Sequence, residues 1–347
     1  MGLFEILEQL SNACGIAGRE DEVRALMMQL LKPNVDEIKQ DKLGNVIGIK
    51  RGRKGVPTLM LAAHMDEIGL MVKNITKDGF IQFSKIGGID DRILVSQKVL
   101  VHTDKGPVTG IIGSKPPHIL KEEERKKVIE ADDLFIDVGA NDQKAVQKMG
   151  IRIGDTVSFD VKFARAAGDS VVGKAFDDRA GCAALIEIMK SLHTVDCTVY
   201  AVGTIQEEVG SRGAGVSAFG LFPDVAIAID ATVAGDVPGI REVEVSTKIR
   251  KGPSLTVADS GLITHPKVLH WLVDTSEEVK VPYQLETSMH GSTDAAKIAL
   301  TREGIPSGVI SIPVRYIHGA TSLLSLEDLE NTVKLAVATT KNISKYF

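Results

Sequence analysis

The stretch that constrains this chain most is Thr198–Ile205, TVYAVGTI. It is an apolar run that stops at Gln206, and Glu207, Glu208 and a Gly-rich turn from Gly210 to Gly215 follow at once. A short, bounded apolar run reads as a buried strand. A buried strand closed by a glycine turn belongs to an open α/β sheet, which gathers its chemistry at the carboxyl ends of its strands. Two adjacent carboxylates repel in a compact fold unless a cation or a shared proton relieves them. Glu207 and Glu208 therefore point to a metal site, and the chain offers further ligands at the ends of other runs. TLMLAAH (58–64) ends on His64, with Asp66 two residues on, and VAIAID (225–230) ends on Asp230. SGVISIP (307–313) leads into a loop with His318, and Lys174-Ala-Phe-Asp177-Asp178-Arg-Ala-Gly181 adds two carboxylates before a helical pattern.

The pattern along the chain predicts helices over 3–14 and 20–32, the second ended by Pro33, and a hairpin over 36–50. The texture then changes. Residues 67–165 carry short alternating segments split by Gly and Asp turns, the mark of a small all-β barrel or sandwich. Within them, 114–131 is a long charged loop. From 166 the α/β texture returns, with helices expected at 179–192, 214–219, 266–280 and 293–303. A last helix runs to about 343 from a capping box spanning Ser325–Asp328. The expected fold is α/β: a mixed, doubly wound sheet built from 1–66 and 166–347, interrupted by a barrel-like unit at 67–165.

Composition narrows the function classes. The net charge of −5 leaves no basic surface for nucleic acid or an anionic membrane. No apolar run approaches the roughly 20 residues of a membrane helix. The N-terminal MGLFEILEQL has no basic, signal-like region, and Cys14, Cys182 and Cys197 are scattered, so a cytoplasmic protein with inert thiols is expected.

Two imidazoles with at least four carboxylates suit Zn²⁺, Co²⁺ or Mn²⁺ better than Ca²⁺. A set larger than one ion needs implies two ions, about 3.5–4 Å apart and bridged by a carboxylate. Adjacent Glu207 and Glu208 can then divide the work, one as ligand and one as proton carrier. On an extended chain His64 and Asp66 face the same side. The glycine order after Glu208 is wrong for a dinucleotide loop. His102 and His193 lack partner motifs, Trp271 reads as packing, and His265, His270 and His290 are weak pocket candidates. His118, in the Pro-Pro-His loop, is open between substrate contact and simple exposure.

The set AAHMDEIG, KAFDDRAG, QEEVGSRGA, AIDAT and RYIHGATS resembles the tetrahedral aminopeptidases, cobalt- or zinc-dependent exopeptidases related to glutamyl and leucyl aminopeptidases. The resemblance covers essentially the whole chain. It implies a zinc-peptidase-like catalytic domain that binds two divalent ions per subunit. His64 and Asp230 would hold one ion, His318 and Glu208 the other, and Asp177 would bridge them, with Asp178 open as the alternative. Glu207 would be the general base, Asp66 would sit behind His64 and orient its ring, and the Asp177–Asp178 bond would be cis. The β insert would mediate homodimerisation, and six dimers would close a hollow dodecamer that admits peptide substrates. The segment from Met289 to Asp294 departs from the usual form, with His290 and Ser292 where Gly is common.

The reading to test is a metal-dependent aminopeptidase. A deacylase or carboxypeptidase of the same clan is the alternative, with Arg179, Arg212 or Arg315 as a carboxylate anchor. An endoglucanase-type glycoside hydrolase fits less well, because aromatics are only 4% of the chain, and a ligand-only scaffold would not need Glu207.

Overall fold

The computed structural model describes residues 1–347, the side chains of Pro117 and Glu124 excepted. Helices α1 (Leu3–Asn12) and α2 (Asp21–Leu31) come first. The next strands, β1 (Glu37–Gln40) and β2 (Val46–Lys50), pair antiparallel as a hairpin, and β3 (Gly55–His64) is the long apolar strand that ends on His64. The chain then leaves this sheet. Strands β4 (Gly69–Ile75), β5 (Ile81–Ile86), β6 (Lys98–Thr103), β7 (Gly106–Gly113), β8 (Phe135–Asp137) and β9 (Thr156–Phe159) close a six-stranded barrel, in the order β4-β5-β8-β7-β6-β9. Every pairing in it is antiparallel. Strict alternation drives the closure: Ile81 and Phe83 of β5 point inward while Gln82 and Ser84 stay exposed. Short helices α3 (Glu122–Arg125) and α4 (Gln143–Lys148) decorate it.

The chain re-enters the large sheet at β10 (Ala164–Arg165) and β11 (Ser170–Gly173), so Ala164 and Arg165, read from sequence as part of the insert, pair within the large sheet. Then follow α5 (Phe176–Ser191), β12 (Cys197–Thr204), α6 (Arg212–Leu221), β13 (Val225–Val233) and β14 (Ser254–Ala258). The remaining elements are α7 (Pro266–Val279), β15 (Gln284–Thr287), α8 (Asp294–Ala299), β16 (Ser307–Arg315), β17 (Ser322–Ser325) and α9 (Leu326–Asn342). The sheet runs β1-β2-β12-β3-β13-β16-β17-β11-β10, with β14 beside β16 and β15 beside β14. Its centre, β12-β3-β13-β16, is parallel.

Both faces of that centre are covered. Leu59, Leu61 and Ala63 of β3 pack with Phe176 and Leu185 of α5 and Leu335 of α9, whereas Met60 and Ala62 pack with Ala214 and Ala218 of α6 and Ile298 of α8. The fold is therefore a mixed, doubly wound α/β sheet carrying a small barrel. No helix among the described residues is long and apolar enough to cross a membrane.

Two local expectations are corrected. The 293–303 helix stops at Ala299, because Arg302 and Gly304 take left-handed φ values of 52° and 101° and break the turn. The Ser325–Asp328 capping box does not form. The Ser325 hydroxyl donates to Asp169, and the Asp328 carboxylate accepts the backbone N–H of Arg250 (2.5 Å) and Gly252 (2.8 Å). Tertiary partners have claimed both side chains that would have capped the helix.

Candidate metal centre

Strand register brings the sequence-selected residues together. His64 lies opposite Thr204 across the β3–β12 pair, which sets Glu207 and Glu208 in the turn just beyond. Ala62 lies opposite Ala228, so Asp230, two residues on, reaches the level of His64, and Asp230 in turn faces Ser311 on β16. Left-handed, non-glycine backbone accompanies three of these turns: Ala175 (φ 56°) before Asp177, Gln206 (φ 56°) before Glu207, and His318 itself (φ 56°). Each costs on the order of 1–2 kcal/mol, which the surrounding packing must offset. The Asp177–Asp178 peptide bond is cis.

Two clusters share one carboxylate. His64 Nε2 lies 2.9 Å from Asp177 Oδ1 and 3.8 Å from Asp230 Oδ1. His318 Nε2 lies 3.2 Å from Asp177 Oδ2 and 3.8 Å from Glu208 Oε2. Within each group the ligand-type atoms lie within 4.8 Å of one another. The opposite ring nitrogens are both committed: His64 Nδ1–H donates to the Asp66 carbonyl (3.1 Å) and His318 Nδ1–H to the Gly88 carbonyl (2.7 Å). With Nδ1–H so committed, each Nε2 faces the carboxylates: protonated, it donates to Asp177; deprotonated, it turns a lone pair to an ion there, as metal-binding histidines are held. Asp178 is turned away, accepting the N–H of His64 (3.1 Å) and Gly181 (2.9 Å). The Asp66 carboxylate is farther from the His64 ring (3.6 Å) than its own carbonyl is. It accepts instead the N–H groups of Glu207 (2.9 Å) and Glu208 (3.1 Å). Glu207 belongs to neither cluster, and its Oε1 accepts the Ser211 hydroxyl at 2.7 Å.

The charges conflict unless a cation is present. Burial pushes Glu208 up to about 8, with the Asp177 charge adding to it. Burial, then Asp178, raises Asp230, and burial raises Glu207. The Asp177 carboxylate, despite its burial, is held below the usual range by hydrogen bonds to His318 and His64. The hydrogen bond to Asp177 lifts His318 to about 10. Nitrogen and carboxylate donors in two triads, with one carboxylate facing both, fit a pair of borderline divalent ions.

A family model described as M42 glutamyl aminopeptidase matches residues 44–335. The chain belongs to the M42 aminopeptidase family. It is 36% identical to the lysyl aminopeptidase of Pyrococcus furiosus over 96% of each chain. Among solved structures, an aminopeptidase from the archaeon Desulfurococcus kamchatkensis superposes with a TM-score of 0.95 at 44% identity, covering 98% of this chain and 94% of the other. The Pyrococcus horikoshii TET1 peptidase, described as assembling into a tetrahedron or a large octahedral shell, superposes at 0.89 with 33% identity over 98% and 99%. Members of this family are peptidases that act as aminopeptidases and depend on metal.

Several contributors were not visible in the sequence. Gly88 comes from the turn after β5, so the barrel itself holds His318. A Cβ on Gly87 would lie 3.1 Å from Glu208 Oε2, and one on Gly88 would lie 3.0 Å from His318 Nδ1. At Gly88 the closeness of the turn requires glycine, and at Gly87 a left-handed φ of 80° requires it as well. Behind the site, Glu67 accepts Lys174 Nζ (2.7 and 2.8 Å), Arg179 Nη2 (3.1 Å) and the Gly15 N–H (3.0 Å), all buried. Arg179 also donates to the carbonyls of Met65, Leu10 and Ala13 and has no exposed surface. Arg315 is locked to Asp236 and Arg212 to Gln206. The metal-ligand-type residues open onto a cavity of about 430 Å³, whose wall also carries Thr256, Asp259, Glu286 and His290. His265 turns back to cap α7, while His118 and His270 are exposed and do not line the cavity.

Proposed function

We propose that the chain is a dinuclear metallo-aminopeptidase that releases N-terminal residues from peptides. The observation that carries this is Asp177, whose two carboxylate oxygens face two different imidazoles, each backed by a further carboxylate. His64, Asp177 and Asp230 would hold one divalent ion, and Asp177, Glu208 and His318 the other, with Zn²⁺ or Co²⁺, or Mn²⁺, as the metal. Bound there, such ions supply Lewis-acid polarisation of the scissile carbonyl and acidify water. Glu207 borders the same cavity without being a ligand candidate. It takes the proton released by the attacking water and passes it to the leaving amine. The Ser211 hydroxyl fixes one of its oxygens, and burial raises its basicity toward that task. Asp66 holds the Glu207–Glu208 backbone in place.

The cavity wall disfavours the other readings. No Lys or Arg lines it among the described residues, so a substrate's terminal carboxylate lacks the anchor a carboxypeptidase needs. No Phe, Tyr or Trp lines it either, so a sugar would have no stacking platform. Self-association through the barrel into homodimers and a twelve-subunit shell, in the cytoplasm, completes the proposal; the Pyrococcus horikoshii TET1 relative, which has been seen as a dodecamer and as a tetrahedron or a large octahedral shell, supports such an assembly.

The test is hydrolysis of aminoacyl p-nitroanilides by native protein and Glu207→Gln, before and after chelation and with Zn²⁺ or Co²⁺ restored. Metal content and light scattering are measured in parallel. The proposal expects two ions per chain, metal-dependent hydrolysis, a loss of about 10²–10⁴ in Glu207→Gln at unchanged metal content, and a particle far larger than one chain. Full activity after exhaustive chelation would sink the catalytic reading, and a monodisperse monomer would sink the assembly.

A further inference from the structure

We propose that Asp259 and Glu286 form a side-chain subsite that selects a cationic N-terminal residue, lysine or arginine. The proposal rests on the aminopeptidase reading and names its substrate class. Family membership does not decide this point, since the family description says glutamyl and one relative is lysyl.

Two neighbouring strands bring these residues to the cavity. Glu286 lies on β15 directly opposite Thr256 of β14, and Asp259 follows the end of β14. Both line the cavity that holds Glu207 and the ligand candidates, and neither belongs to a ligand group. Glu286 is fixed by the Thr232 hydroxyl (2.8 and 2.9 Å) and the Ser254 hydroxyl (3.1 Å), so it is aimed rather than free. Asp259 Oδ1 is spoken for by the N–H groups of Gly261 and Leu262, both at 2.7 Å. Its Oδ2 has no hydrogen-bond partner among the described residues, although Asp259 is only 7% exposed. A buried carboxylate oxygen without a donor is costly, and native structures seldom keep one without a reason.

The sign of the charge is equally specific. Six carboxylates and no Lys or Arg line the cavity among the described residues. The four positive charges of two divalent ions match Asp177, Glu208, Asp230 and Glu207, and leave Asp259 and Glu286, whose carboxyls burial raises, as the wall carboxylates with no counter-charge. A lysine ammonium or arginine guanidinium supplies both the donor and the counter-charge. A glutamyl side chain would be repelled by both groups, and a leucyl side chain would leave both without a counter-charge.

The experiment compares kcat/KM of the metal-loaded protein on lysyl, arginyl, norleucyl, leucyl and glutamyl p-nitroanilides, with Asp259→Asn and Glu286→Gln alongside. Norleucine is lysine with its ammonium replaced by a hydrogen. Free L-lysine and L-norleucine serve as competitive inhibitors to read binding separately. The expected lysyl-over-norleucyl ratio is about 10- to 100-fold, the factor carried by a hydrogen bond between charged groups. Glutamyl should be the poorest substrate, and both variants should collapse the ratio toward one. A wild-type ratio near one, a glutamyl preference, or a ratio unmoved in both folded variants would overturn the subsite. Hydrolysis of neutral substrates without a lysyl preference would refute the subsite and leave the aminopeptidase reading standing. Silence on every substrate would refute both.

Discussion

Replacing Asp66 with Asn tests what holds the Glu207–Glu208 turn. Asp66 is fully buried, and each of its oxygens accepts one backbone N–H, from Glu207 at 2.9 Å and Glu208 at 3.1 Å. Asn can accept one of these and must present its own N–H₂ to the other. Two charge-assisted bonds of about 1.5–3 kcal/mol each become one neutral bond of about 1 kcal/mol. The net loss is about 3 kcal/mol. An unfolding entropy of about 2.1 cal/mol/K per residue, summed over this chain, is about 0.7 kcal/mol/K, so the melting temperature should fall by about 4 °C. The turn that carries Glu207 loosens as well, and kcat should drop by about 10²-fold, the cost of misplacing a reacting group by about 1 Å. The His64 ring should keep its orientation, because Nδ1 leans on the Asp66 carbonyl, which Asn retains. Thermal melts, kcat on an aminoacyl p-nitroanilide and metal content by mass spectrometry together decide. A melting temperature within about 1 °C of wild type at unchanged kcat refutes the reasoning. A variant that loses metal but recovers full kcat when remetallated would instead assign Asp66 to the ring, as the sequence motif alone suggests.

Gly88→Ala should weaken binding of the ion beside His318 by about 10–100-fold, because the added Cβ meets the Nδ1 edge of the ring at 3.0 Å; competition with a chromogenic chelator measures this, and unchanged affinity would contradict it. Glu67→Ala strands Lys174 and Arg179 in the interior and should cost about 3–5 kcal/mol in denaturant unfolding. A loss under about 1 kcal/mol would mean that the carbonyls of Ala13, Leu10 and Met65 suffice for both cations. Chelation should lower the melting temperature reversibly, since ions that bind only the folded chain contribute about 4 kcal/mol at a thousandfold excess over Kd. A melt unchanged by dipicolinate would argue that the two clusters hold no structural metal.

What could be read from the sequence is what local pattern encodes. Apolar runs ending on His64, Glu207 and Asp230 give both the strands and their chemical tips, because parallel strands that start together also finish together. The barrel shows in its two-residue alternation. The rest depends on contacts between distant segments. Nothing near Ser325 announces that Asp169 will take its hydroxyl, so the capping box reads as intact. Nothing near Gly87-Gly88 announces His318, more than two hundred residues away. Asp259 and Glu286 look like ordinary surface acids in one dimension; only the pairing of β14 with β15 turns them inward together. Arg179 looks like an available cation in KAFDDRAG, but it is consumed by three carbonyls and Glu67.

The barrel is therefore part of the site rather than an appendage to it. Its β5 turn supplies the carbonyl that sets the His318 tautomer, and Ala320, two residues past His318, packs into the barrel's own core with Leu70, Phe83 and Val157. The His318 loop is thus clamped at one point by a barrel backbone oxygen and at another by barrel side chains. Its left-handed φ of 56° is sustained by both. Any force that shifts the barrel against the sheet moves Gly88 and Ala320 together and carries the ring with them, while His64, rooted in β3, stays put. The two clusters respond differently for that reason: the His64 group is set by strand register within one sheet, and the His318 group by the seating of one folded unit on another. Binding measured ion by ion should show the His318 cluster as the one sensitive to substitutions in the barrel turn.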